Sequence, residues 1–62
     1  MNKPLPEIIH DLRNPLNTIS MNAEVAILLT ESDIDVEKLK KLMTAILKQC
    51  EQCGMILDQF DN

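Results

Sequence analysis

Residues 36–60, VEKLKKLMTAILKQCEQCGMILDQF, decide the fold, because their apolar positions return on a helical period from one end to the other. Val36, Leu39, Met43, Ile46, Cys50, Cys53, Leu57 and Phe60 alternate steps of three and four, and no proline interrupts them. Leu42, Leu47 and Ile56 widen the stripe, so this helix is expected to pack against more than one neighbour. Gly54 lies inside it and weakens it by roughly 1 kcal/mol relative to alanine.

Working outward, Glu31-Ser32-Asp33-Ile34-Asp35 is rich in side chains that compete with helical hydrogen bonding. The spacing predicts a turn over 31–35, with Asp33 or Asp35 capping the helix that follows. Before it, Leu5, Ile9, Leu12, Leu16, Ile19, Ala23 and Ala26 form a second heptad-like seam, which predicts a first helix from about Pro6 to Thr30. Pro6 suits a first turn, where its missing N–H has no partner anyway, and Glu7 favours the positive end of the helix dipole. Each helix would be about 37 Å long at ~1.5 Å per residue, and equal lengths with a short loop predict an antiparallel hairpin.

A chain of 62 residues is one small domain, 1–62, and struggles to bury enough apolar surface to offset its conformational entropy. Two cysteines three residues apart cannot staple a fold, and one His with two Cys leaves a structural zinc site a ligand short, so no metal is expected. Association remains. Two helices cannot enclose their own broad apolar faces, so the expected fold is all-α: two hairpins paired about a two-fold axis into a four-helix bundle, an obligate homodimer.

Composition narrows the partners. The chain is 45% hydrophobic with Phe60 its only aromatic residue, and it carries a net charge of −4 without a basic cluster. Nucleic acid and anionic membranes are therefore disfavoured, and no apolar run approaches bilayer length. Unpaired cysteines suit a reducing, cytoplasmic setting, with which a membrane-anchored parent protein is compatible. Cys50 and Cys53 have C-x-x-C spacing, but their seam positions favour packing over redox chemistry. Met21, Met43 and Met55 read as gap-fillers, and Lys38, Lys40, Lys41 and Lys48 with Glu37 and Glu51 as a solvated face.

The chemistry gathers in His10-Asp11-Leu12-Arg13-Asn14-Pro15-Leu16, where the only histidine sits beside a carboxylate and a proline follows inside a helical pattern. His10 falls beside the seam, with Asn14 one turn on and Asn17 continuing the polar strip. Such an imidazole can attack an electrophile through one nitrogen while an acceptor holds the other. Asp11 is placed to take the proton, Asn14 can orient a water or phosphoryl oxygen, and Arg13 can attract a phosphate or an acidic partner. Pro15 either bends the first helix or, with Asn14 as cap, opens a new one at its first position.

The sequence HDLRNPL closely resembles the H-box of sensor histidine kinases, and the hairpin around it resembles their dimerisation and phosphoacceptor domain, from about Glu7 to Phe60. The resemblance implies that His10 accepts the γ-phosphoryl group of ATP, that Asp11 is the general base, and that Asn14 positions water for a phosphatase activity. It implies that Pro15 kinks the helix, that the phosphoryl group passes to an aspartate of a response regulator receiver domain, and that this partner docks beside His10, where Arg13 and Asn17 lie. One glycine and no phosphate-cradling loop mean that ATP and Mg are held by a separate catalytic domain, with no cofactor on this chain. The chain then reads as an excised domain or a truncated relative. The competing function is a non-enzymatic helical module that dimerises with, or inhibits, a kinase and keeps the H-box as a docking surface.

Overall fold

The computed structural model describes residues 3–32 and 34–60. They form two α-helices, α1 over Leu5–Glu31 and α2 over Val36–Leu57, packed along their length into a rod of 46 × 15 × 12 Å. The all-α hairpin expected from the periodicity is the observed fold.

The helix ends follow local chemistry. The Pro4 carbonyl accepts from the N–H groups of Glu7 and Ile8, and Pro6 falls within the first turn, where a missing donor costs nothing. At α2 the Asp35 carboxylate accepts from the Lys38 N–H at 3.2 Å, a side-chain cap on an otherwise orphaned donor. The alternative cap, Asp33, lies outside the described residues. Helix α2 stops at Leu57, short of the expected Phe60, because the chain turns through Asp58 and Gln59 to pair with the segment that leads into α1. There the Lys3 N–H donates to the Gln59 carbonyl at 2.6 Å, and Lys3 and Phe60 form an isolated parallel bridge.

Helix α1 runs without interruption through Pro15, so Asn14 does not cap a new helix. Pro15 has no N–H, and the carbonyl of Asp11 four residues back therefore lacks its helical donor. The pyrrolidine ring is itself buried, together with Ile8 and Ala26.

The seam needs correction. Of the residues expected to line it, Leu5, Ile9 and Leu16 are about half exposed. The face that α1 turns inward keeps Leu12, Ile19, Ala23 and Ala26 of that seam, and puts Ile8 and Pro15, each one position earlier, where Ile9 and Leu16 were expected. In α2 the half-buried positions are Leu39, Leu42, Ala45, Ile46, Gln49, Cys53 and Ile56, with Phe60 just beyond it, while Val36, Met43, Cys50 and Leu57 are exposed. Cys50 is thus not packed in the hairpin, and Met21, Met43 and Met55 fill no gap in it either. The physical reason is that each helix carries two overlapping three-four stripes whose centres are about 50° apart, and one neighbouring helix covers only one of them fully.

The outward stripes meet on one side of the rod. Ala23, Ala26 and Ile27 of α1 with Leu39, Met43 and Ile46 of α2 line an apolar groove there. The opposite groove, between Val25 and Leu29 of α1 and Leu42 of α2, is bordered by Lys38 and Lys41. No described helix is long and apolar enough to cross a membrane.

Among the described residues, Ile8 is the single large side chain that the hairpin encloses fully, at 1% exposure. Replacing Ile8 by alanine is expected to cost about 2–5 kcal/mol, a large share of what so small a domain has. Urea unfolding followed by circular dichroism would then lose its cooperative transition or shift its midpoint sharply downward.

Candidate functional site

His10 stands in the second turn of α1, on the side away from α2, and its ring is 85% exposed. Asn14 lies about 40° around the helix from it and Asn17 about 20° to the other side, so the three share one outer face. Arg13, Asn14 and Asn17 are all exposed. This is the arrangement the spacing predicts. The same face continues with Met21, Val25 and Leu28, all strongly exposed, an apolar strip that the sequence reading missed. Its signal was present, since these residues follow His10 at helical spacing, but a methionine at such a position reads as packing until its exposure is known.

Asp11 is turned toward the flank of α1, half-buried, and its two oxygens have different tasks. Oδ2 accepts from Lys3 Nζ at 2.9 Å, and Oδ1 lies 3.6 Å from Nδ1 of His10. The second distance is a close polar contact, too long for a formed hydrogen bond. A proton on Nδ1 directed at that oxygen leaves the lone pair on Nε2, the nitrogen on the far side of the ring from the carboxylate. Lys3 also missed notice, because a contact between residues 3 and 11 depends on the chain outside the helix.

The Lys3 hydrogen bond holds the Asp11 carboxyl below its ordinary value of 3.8, with partial burial opposing and His10 adding a smaller effect in the same direction. Lys3 in turn is raised above 10.5, first by its hydrogen bond to Asp11 and then by that carboxylate's charge, with Glu7 contributing least. The signs set a window. Asp11 stabilises the fold above pH 3.8 and loses this as pH falls through its lower folded value, whereas Lys3 stabilises below pH 10.5 and loses it as pH rises through its higher one. The pair is solvent-accessible, so its contribution is small and salt-sensitive. The melting temperatures of wild type and Lys3→Gln should differ by a steady small amount from about pH 4 to pH 10 and converge beyond both limits.

Among the described residues, no group of three or more His, Cys, Asp or Glu side chains could hold a metal ion. The model of the His Kinase A (phospho-acceptor) domain matches residues 5–62. The chain belongs to this family. Searches of curated proteins and of solved structures found no match. As a His Kinase A domain it is a histidine phosphoacceptor and dimerisation domain of the two-component kinase class, and the hairpin of α1 and α2 is its structural unit.

Proposed function

We propose that His10 is the phosphoacceptor, taking the γ-phosphoryl group of ATP presented by a separate catalytic domain and passing it to an aspartate of a response regulator receiver. The observation that carries this reading is the division of the imidazole, with Nδ1 beside Asp11 and Nε2 free on an open face. Nε2 attacks the γ-phosphorus, the bond from phosphorus to the bridging oxygen breaks, and ADP leaves with that oxygen's electron pair. The ring would become cationic as the N–P bond forms. Asp11, acting as general base, stabilises that charge and accepts the Nδ1 proton. This chain supplies the nucleophile and the base, while ATP and Mg belong to the catalytic domain, since the single glycine here lies within α2 and forms no phosphate loop.

Asn14, on the same face, would aim a water at the phosphoryl group of a phosphorylated partner, releasing it as inorganic phosphate. Arg13 and Asn17 flank His10, and the strip of Met21, Val25 and Leu28 extends the face on which a receiver would dock. Pro15 relaxes α1 one turn beyond His10 by leaving the Asp11 carbonyl without its helical donor, which supports a bend there. A second copy of the chain covers the uncharged groove and its flanking stripes, Leu5, Ile9, Leu16 and Ile27 with Val36, Met43 and Leu47. Leu16 lies about 120° around α1 from His10, so that pairing leaves the imidazole open.

The experiment mixes the chain with a histidine kinase ATP-binding domain and Mg-ATP. Phosphate that is stable to base, labile to acid and absent from His10→Ala is the expected result. A chain that takes no label, or keeps it in the variant, overturns the reading and leaves the docking-module alternative.

A further inference from the structure

The two ends of the hairpin meet beside the histidine. Lys3 precedes α1 and is tied through its N–H to the carbonyl of Gln59, which follows α2. Its side chain then spans eight residues of sequence to reach Asp11 Oδ2 at 2.9 Å. Neither Lys3 nor Gln59 belongs to a helix. The backbone bond fixes where the lysine starts, and the ion pair fixes where it ends.

We infer that Lys3 is a positioning residue: clasped to Gln59, it occupies one oxygen of Asp11 and so turns the other toward Nδ1 of His10. A carboxylate on a helix surface samples several rotamers, and only some bring an oxygen near the neighbouring ring. An ammonium on Oδ2 selects among them. The charged groups that act on Asp11 are Lys3 from the leading segment and His10 from its own helix, with Glu7 acting on Lys3. Lys3 has the larger effect of the two on Asp11, and it and His10 face different oxygens of the carboxylate. The geometry also makes the site responsive to the chain ends, because displacing residue 3 from residue 59 withdraws the ammonium from Asp11.

The inference takes its functional meaning from the phosphoacceptor reading, but its test does not need phosphorylation. In the full chain, three-bond couplings should report one dominant Asp11 rotamer, a carboxyl carbon titrating below the ordinary range, and a Lys3 amide protected from exchange. Lys3→Gln should average the rotamers and return the titration toward the ordinary value, and Lys3→Arg should restore both. Salt at about 1 M, where screening reaches ~3 Å, should move the wild-type titration the same way without any substitution. Phosphoryl acceptance in Lys3→Gln should fall on the order of tenfold, since a misplaced base costs rate steeply, and recover in Lys3→Arg.

An Asp11 side chain whose rotamer and titration ignore both the substitution and the salt overturns the inference. So does an undiminished transfer rate once Asp11 has been freed, and a rapidly exchanging Lys3 amide beside a fixed Asp11 removes the clasp. If Asp11 responds to Lys3 but His10 takes no phosphate, the positioning stands and the phosphoacceptor reading alone falls.

Discussion

Leu16→Glu should abolish self-association and most of the helicity at micromolar concentration, although Leu16 is 52% exposed within its own hairpin. A surface substitution that touches nothing usually changes stability by less than about 0.5 kcal/mol. The expectation here is larger because, among the described residues, the hairpin buries only Ile8, Pro15 and Ala26, while a run of large apolar residues faces outward. Such a surface supports the proposed pairing with a second copy. Covering Leu16 with a second copy contributes about 1.5–3 kcal/mol, and a glutamate there instead carries a desolvation cost of several kcal/mol. A two-fold interface presents each change twice. Sedimentation and circular dichroism over a concentration series give the readout, with Gln52→Glu on the exposed polar side of α2 as the control expected to change nothing. A Leu16→Glu chain that stays helical, or a wild type that is a stable monomer when dilute, removes the second copy.

Asp11→Asn should slow phosphoryl acceptance by His10 about 10²–10⁴-fold, which is the usual contribution of a placed general base. That corresponds to roughly 3–5 kcal/mol of barrier. The substitution preserves shape and removes both the charge and the capacity to take the Nδ1 proton. It also forfeits the ion pair with Lys3, but that pair is solvent-accessible and adds little to the fold, so folding should survive. Initial rates of phosphate incorporation, measured with saturating catalytic domain, decide the matter. An unchanged rate would mean that solvent serves as the proton acceptor, and Asp11 would then lose its place in the chemistry while His10 kept its own.

The helices were legible in the sequence because three-four spacing is a property of each segment alone. Val36 to Leu57 carries no internal proline, and Asp35 is the sort of side chain that starts a helix. The placement of His10, Asn14 and Asn17 on a common face was legible for the same reason. Which stripe turns inward was not. Leu39, Ile46, Cys53 and Phe60 belong to both candidate seams of α2, and only the choice between the Leu42 and Met43 series distinguishes them. In α1 the inward series includes Pro15, which a periodicity argument reads as a helix breaker and not as a buried apolar ring. Lys3 was out of reach altogether, since its role depends on Gln59 closing the far end of the chain against it.

The rod shape has a practical outcome. His10 lies two turns from the end where residues 3 and 59 join, while the connection between α1 and α2 sits roughly 30 Å away at the opposite tip. A fluorophore or peptide tag grafted at that tip would report on tumbling and assembly without disturbing the imidazole, whereas a label near residue 3 or 59 would load the junction beside it.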